Sequence, residues 1–356
     1  MKNSTNYRGM TVGLDVGDRR TRYAVLDREG KLIAEDQFKT NRATTAEVAD
    51  SFAGATIILE VGAHSRWMSQ VFEASECKVY VANARQIKLI YASVDKDDRL
   101  DALRLAKLGM FDPDLLKPIE HRSDDSQADL EVLKARALLV RLRASVVNHI
   151  RGVLKSFGLK PPKCTTRTFA KKLRGMVPES LELSIGMLLD QLDELTARIG
   201  EFERKLEAIS KKKYSGKIEL VRQVNGVGLL SGLTFILTIG DPGRFKKSRD
   251  VGSYLGLRPK RHESGEKKPD LRTTRTGDRF LRTYLVQSAN YILGPFGTDC
   301  KLRRWGLAKA EGGKSNRKRA VIAVARKLSV LLHRLLVTGE VYDPMRNCEE
   351  TLPAAA

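Results

Sequence analysis

Nine apolar residues, Leu181, Ile185, Leu188, Leu192, Leu195, Ile199, Phe202, Leu206 and Ile209, follow one another at steps that alternate strictly between four and three. An a/d seam kept up over about four heptads is the signature of a long helix, and a seam this narrow has to be covered by a second helix. Two partners are open. One is the stretch 127–157, which is rich in Leu, Ala, Arg and Val, has no Pro and no Gly before Gly152, and can fold back across the loop 158–166 with its Pro161-Pro162. The other is the same helix of a second subunit, which makes the chain a homo-oligomer, dimer or tetramer, through residues 181–209.

Ahead of these helices the pattern alternates. Runs 10–16 and 21–26 are separated by Gly17-Asp18-Arg19-Arg20, and 31–38 follows a turn at Glu29-Gly30, which predicts three hairpin-linked strands. A helix over 44–52, a buried strand over 56–60, a helix over 65–73 and a strand over 78–81 complete one α/β layer. The segment 97–108 reads as a helix with Leu100, Leu103 and Ala106 on one side. Beyond the seam the spacing predicts a helix at 218–223, a turn at Asn225-Gly226-Val227-Gly228, an apolar helix at 229–239, and basic helices at 248–255, 276–292 and 315–336. Residues 352–356 read as a frayed tail.

Charge is unevenly spread. The chain of 356 residues carries a net +21, divided as +2 over residues 1–110, +6 over 111–240, +16 over 241–335 and −3 over 336–356. A basic surface attracts polyanions and gains free energy by releasing their counterions, so the last third reads as a nucleic-acid platform beside a nearly neutral domain with another task. The four cysteines, Cys77, Cys164, Cys300 and Cys348, are far apart and form no CxxC pair, which supports neither a zinc site nor a disulfide framework. The first ten residues hold no apolar core of a signal peptide, and the longest nearly apolar stretch, 228–240, is too short to cross a bilayer, so a soluble cytoplasmic protein is expected.

Several acids stand where the pattern wants apolar residues. Asp15 ends the first predicted strand in Val12-Gly13-Leu14-Asp15-Val16, and Glu60 ends Ile57-Ile58-Leu59. A carboxylate in such a run needs a cation or a hydrogen-bonding network. Asp98 and Asp101, in Lys96-Asp97-Asp98-Arg99-Leu100-Asp101, are three apart and share one face of a helix. Taken singly, each has a plainer reading, as a turn residue or a charge suited to a helix start. Together, four carboxylates make a hard, oxygen-only set suited to Mg²⁺ and to phosphodiester chemistry. The opening Gly13-Leu14-Asp15-Val16-Gly17 also begins the actin-like sugar kinases, but their second Asp-Gly phosphate loop and adenosine-binding Gly-rich segment have no counterpart here.

These blocks resemble the DEDD transposases of the IS110 insertion-sequence family along most of the chain. Lys96-Asp97-Asp98-Arg99-Leu100-Asp101-Ala102 is close to the family's Lys-Thr-Asp-Arg-x-Asp-Ala, with Asp97 in place of Thr. Val224-Asn225-Gly226-Val227-Gly228, Tyr254-Leu255-Gly256-Leu257-Arg258-Pro259, Ser264-Gly265-Glu266-Lys267 and Thr276-Gly277-Asp278-Arg279-Phe280-Leu281-Arg282 resemble the family's second transposase domain, with Asn225 where Pro is usual. The resemblance implies an α/β RuvC-like (RNase H-type) catalytic domain at 1–122, a helical coiled-coil region at 123–215, a mostly helical C-terminal transposase domain at 216–340, and a tail at 341–356. It implies an RNA-guided recombinase of the bridge type, which cuts and rejoins DNA in the prokaryotic cytosol or nucleoid. Its partners are DNA, as element ends and target, and a structured guide RNA.

The resemblance places Asp15, Glu60, Asp98 and Asp101 at the four metal-binding acid positions, with Mg²⁺ as cofactor, and Ser264 at the serine that attacks the phosphodiester and becomes linked to it. The acid site of one subunit serves the serine of another. From the residues alone Ser264 is an ordinary Ser-Gly turn, with Ser231, Ser248 and Ser253 nearby. The turn holding Gly226 and Gly228 resembles a helix-hairpin-helix, whose free N–H groups accept a phosphate, or is a plain connection between helices. Arg258, Lys260, Arg261, Lys267, Lys268, Arg272, Arg275, Arg279 and Arg282 flank Ser264 and are expected to contact nucleic-acid backbone rather than bases. Two other functions remain open: a metal-dependent junction or RNA nuclease that uses water alone, and a scaffold that binds nucleic acid without chemistry.

Overall fold

A turn at Gly17, whose N–H donates to the Arg20 carbonyl at 3.2 Å, joins β1 (Thr11–Val16) to β2 (Arg20–Leu26). The next reversal is built by the Asp27 carboxylate, which accepts from the N–H groups of Glu29 and Lys31 at 3.1 and 2.8 Å, and by Gly30 at a φ of 84°. It leads into β3 (Leu32–Lys39). These geometries come from a computed structural model that describes residues 7–83, 98–260 and 273–346. Contacts divide the chain into two compact units, Met1–His121 and Arg122–Ala356. The first holds 18 basic and 18 acidic residues and the second 46 against 25, so the whole net charge lies in the second.

In the first unit, α1 (Arg42–Ser51), capped by Asn41, leads to β4 (Thr56–Glu60), and α2 (Ser65–Ala74) leads to β5 (Lys78–Ala82). The sheet order is β3-β2-β1-β4-β5, with the hairpin strands antiparallel and β1, β4 and β5 mutually parallel. Strand side chains alternate between faces. Val12, Leu14, Ile57 and Leu59 pack with Phe52, Met68 and Phe72 under α1 and α2. Gly13, Asp15, Ile58 and Glu60 therefore belong to the other face, which α3 (Asp98–Phe111) covers.

α3 approaches the sheet too closely for side chains on the strand. A Cβ at Gly13 would stand 2.0 Å from the Ala102 carbonyl oxygen and 2.6 Å from the Ala106 nitrogen, and one at Gly109 would stand 2.4 Å from Ile58. The buried face is accordingly Ala102, Leu105, Ala106 and Gly109. This corrects the expected face in part: Ala106 is buried as expected, whereas Leu100 is 39% exposed and Leu103 only half-buried. Hydrophobicity pointed to the leucines, whereas backbone proximity selects the small residues.

In the second unit the seam finds its partner within the chain. α4 (Asp124–Ser156) and α6 (Glu179–Lys213) run antiparallel, tied by Lys213 to Asp129 at 3.0 Å, by Arg136 to Glu203, and by Arg143 to Thr196 at 3.3 Å. Val147, Ile150 and Leu154 meet Leu181, Ile185, Leu189 and Leu192 at the far end, where the short α5 (Phe169–Leu173) closes the core. The seam drifts from its expected positions. Leu189 and Ser210 are buried where Leu188 and Ile209 were expected, and Phe202 is half-buried. A straight helix drifts about 20° per heptad against a strict seven-residue repeat, which carries the buried positions off the expected seam toward Leu189 and Ser210.

α7 (Ser215–Arg222), α8 (Leu229–Ile239), α9 (Ser248–Tyr254), α10 (Arg279–Leu293), α11 (Lys301–Ala310) and α12 (Lys314–Thr338) complete this unit. α8 is apolar all round because it is buried all round from Gly232 to Ile239, in a core shared with Leu206, Leu285 and Leu328. α10 begins three residues later than expected because the Asp278 carboxylate accepts from Leu281 N–H at 2.8 Å and caps it there. α11 had no clear signal in the sequence: Gly306 interrupts it, and only packing explains that glycine, since a Cβ there would lie 2.5 Å from Val324. Cys77, Cys164 and Cys300 are free thiols. No helix among the described residues is long and apolar enough to cross a membrane.

Candidate active site and nucleic-acid surface

The parallel pairing of β1 with β4 sets the acids. Leu14 stands opposite Leu59, so Asp15 and Glu60 are each one residue beyond the last paired position, at the C-terminal ends of adjacent central strands. Both belong to the face covered by α3, whose first residues are Asp98 to Asp101. Across the antiparallel pair, Arg22 of β2 is directly opposite Asp15 and supplies a cation beside it. Asp101 is half-buried and receives Arg104 at 3.4 Å. The side chain of Asp98 lies outside the described residues. Among the described residues no group of three or more His, Cys, Asp and Glu is close enough to hold a metal ion. The fold thus brings two of the expected acids to one edge and starts the helix of the other two over the same face.

Beside these strand ends stands a hydrogen-bonded pair that is not among the expected site residues. Trp67 Nε1–H donates to His64 Nδ1 at 3.1 Å, and His64 Nε2 meets the Asp18 carboxylate at 3.2 Å. An indole N–H can only donate, so Nδ1 accepts and Nε2 carries the proton toward Asp18. Arg42 lies over the Trp67 ring at 5.8 Å. The spacing of His64 and Trp67 on one helical turn was visible in the sequence; the arrival of Asp18 from the β1–β2 turn was not.

In the second unit, α7 and α8 are joined through Gly226 and Gly228. Gly226 has a φ of 92°, and a Cβ there would stand 2.9 Å from Ile292 and 3.1 Å from Tyr291, so the turn is seated against α10. Gly228 is exposed, has open space around it, and caps α8 with no side-chain help. Gly232 is the first residue of α8 whose N–H the helix uses, to the Gly228 carbonyl at 2.9 Å.

Arg258 and Lys260 are exposed at the end of a short ladder in which Thr274 N–H donates to the Arg258 carbonyl and Arg275 N–H to the Gly256 carbonyl, each at 3.0 Å. Arg275 and Arg279 are exposed too. The Arg282 guanidinium donates through one nitrogen to the Leu255 and Gly277 carbonyls at 2.8 and 3.2 Å, pinning both ends of this ladder. Gly277 permits that approach, since a Cβ there would fall 2.0 Å from the Tyr254 carbonyl oxygen. Ser264, Arg261, Lys267, Lys268 and Arg272 lie outside the described residues.

A further basic surface comes from α11 and α12. Arg317, Lys318 and Arg319 are exposed, and Trp305 is held under Lys327 at 3.8 Å with Lys309 at 5.3 Å. Burial, and then the like charges of Lys301 and Lys309, pull the Lys327 ammonium below its usual range. Clustered cations of this kind favour an anion.

Comparison with known proteins finds family matches in both units. A model for DEDD transposases, described as Transposase, matches residues 12–158, and the model described as Transposase IS116/IS110/IS902 family matches residues 218–294. The chain is 26% identical over 340 residues to the transposase for insertion sequence element IS1111A of Coxiella burnetii, covering 93% of this chain and 90% of that protein. It is 26% identical over 344 residues to a probable family 20 transposase of Pseudomonas aeruginosa, covering 94% and 98%. A pilin gene-inverting protein of Moraxella lacunata is 24% identical over 294 residues, covering 81% of each chain.

Proposed function

Since the chain belongs to the IS110 family of insertion-sequence transposases, we propose that it cuts and rejoins DNA with a Mg²⁺-binding acid tetrad and a serine nucleophile, guided by a structured RNA. The observation that carries this reading is the register that sets Asp15 and Glu60 side by side at the ends of β1 and β4, under the helix that opens with Asp98 and Asp101. Three antiparallel strands followed by two parallel ones, in the order β3-β2-β1-β4-β5, suit a RuvC-like, RNase H-type domain. The carboxylate set is hard and oxygen-only, and suits Mg²⁺ in its chemistry. When bound, the ion supplies Lewis-acid stabilisation of charge on the phosphate.

The residues of the chain divide the work. Ser264 Oγ forms the new bond to phosphorus as the bond to the leaving sugar oxygen breaks, and its proton passes to a base. One phosphodiester replaces another, so joining needs no ATP. Lys260, Arg261, Lys267, Lys268 and Arg272 hold backbone around the serine, joined by Arg258 and Arg275 on the exposed ladder and Arg279 at the start of α10, while Arg282 braces that ladder. Self-association uses the helix 179–213 on the face away from its hairpin, where Leu183 and Met187 are exposed one turn apart.

The test is incubation with element ends, guide RNA and Mg²⁺. Wild-type protein forms a covalent protein–DNA adduct, and Ser264→Ala does not. Asp15→Ala and Asp101→Ala abolish adduct formation as well. Adducts that persist in Ser264→Ala would refute the nucleophile; normal cleavage with no adduct in any variant would favour the water-only nuclease.

A further inference from the structure

A cleft of about 380 Å³ opens between α6 and the first turn of α8, lined by Arg167, Gly200, Arg204, Glu207, Leu229 and Leu230. It continues into a smaller recess of about 160 Å³ that Arg143 and Thr196 complete. Its acids are already engaged. Glu203 pairs with Arg136, and Glu207 pairs with Lys211 at 3.0 Å. Arg143, Arg167 and Arg204 have no carboxylate partner among the described residues. The Nε–H groups of Arg136 and Arg143 are buried and make no hydrogen bond among the described residues.

The cations also press on one another. Burial, and then the like charge of Arg136, pull the Arg143 guanidinium below its usual range, with Glu203 acting against the fall and Arg167 adding to it. Gly200 adds no side chain to the wall, and Leu229 and Leu230 of the first turn of α8 line the cleft beside exposed Gly228. Guanidinium forks and a free helix start both recognise phosphate oxygens.

We propose that this cleft is a phosphate-binding site, distinct from the residues around 258–282, which grips the backbone of a single-stranded nucleic-acid segment. It is too small for a duplex, and its apolar rim, Leu229 and Leu230, suits a sugar or an unstacked base. The site rests on the reading of the chain as an enzyme acting on nucleic acid, and extends it to a partner in single-stranded form.

The test uses the full chain and labelled 20-nucleotide strands of RNA and of DNA, with a matching duplex, in a salt titration of binding. Arg167 and Arg204 are exposed, so Arg167→Gln/Arg204→Gln retains the fold, checked by an unchanged melting temperature. The double variant binds single strands about 10-fold more weakly, with a salt slope shallower by about 1.4 for two lost phosphate contacts, while duplex affinity is unchanged. Glu207→Gln binds tighter. Amide exchange at Leu229 to Ser231 slows when a strand is bound. Whichever of RNA and DNA loses more affinity is the occupant. A double variant with the wild-type slope, or with equal losses for strand and duplex, overturns the cleft and leaves the proposed function standing. Wild-type protein that binds no nucleic acid overturns both.

Discussion

Gly13→Ala tests whether α3 and the strand bearing Asp15 act as one rigid frame. The added methyl would sit 2.0 Å from the Ala102 carbonyl oxygen, 2.6 Å from the Ala106 nitrogen and 3.0 Å from the Ala106 Cβ. Two of the three obstacles are backbone, so no rotamer change relieves them, and α3 must move outward by more than an ångström to restore ordinary contact. Overpacking a core costs about 1–3 kcal/mol, and a clash against backbone belongs at the upper end of that range. At roughly 4 °C per kcal/mol, the melting temperature of the first unit falls by about 8–12 °C. The same displacement carries Asp101 away from Asp15 and Glu60, and a 1 Å misplacement of reacting groups costs on the order of 100-fold in rate. The assay pairs thermal unfolding with adduct formation, using Gly62→Ala in the same unit, which meets nothing within 4 Å, as the stability control. A Gly13→Ala protein with wild-type melting and wild-type adduct yield would refute the close packing of α3 on β1.

Other consequences follow from the same geometry. Leu192→Ala and Leu206→Ala, each fully buried on α6, destabilise the second unit by about 2–5 kcal/mol in denaturant titrations, whereas Leu183→Ala, 82% exposed, leaves it unchanged. Arg282→Ala removes two charge-assisted bonds to main-chain carbonyls and costs about 2–4 kcal/mol, while Arg279→Ala at the exposed neighbouring position affects nucleic-acid affinity and not melting. Burial pushes the Cys77 thiol up to about 11, so folding holds its proton. The stability this contributes is complete below pH 9 and is lost as pH rises through 11, and a Cys77→Ala protein shows a flatter alkaline arm in melting measured from pH 8 to 11. Cys77 in the native protein is alkylated at pH 8 far more slowly than in the unfolded chain.

Periodicity and composition carried much of the outcome. Strands 56–60 and 78–81, the hairpins, the long seam helix and the apolar helix 229–239 were legible because burial on one face, or on all faces, imposes a period that the residues record directly. The acids at the strand ends were legible for the opposite reason, as polar residues out of place in apolar runs. The excess of positive charge in the last third was legible as a sum and became sharper as a division, with a neutral first unit and a second that holds all of +21.

What the tertiary structure alone decided concerns distances between segments remote in the chain. Whether the seam met its own chain or another depended on the closure of 158–166, which no periodicity encodes, and the structure closes it as an antiparallel hairpin. The buried face of α3 was decided by how near its backbone comes to Gly13, so alanines displaced the leucines that hydrophobicity favoured. Arg282 looked like its neighbours until two carbonyls came within reach, and Arg143, Arg167 and Arg204, scattered over 62 positions of sequence, became a site only when the hairpin and α8 folded together. Local pattern determines what each segment is; which of its faces is buried where backbones approach, and which charges meet, is settled by packing, because contact and charge act through space rather than along the chain.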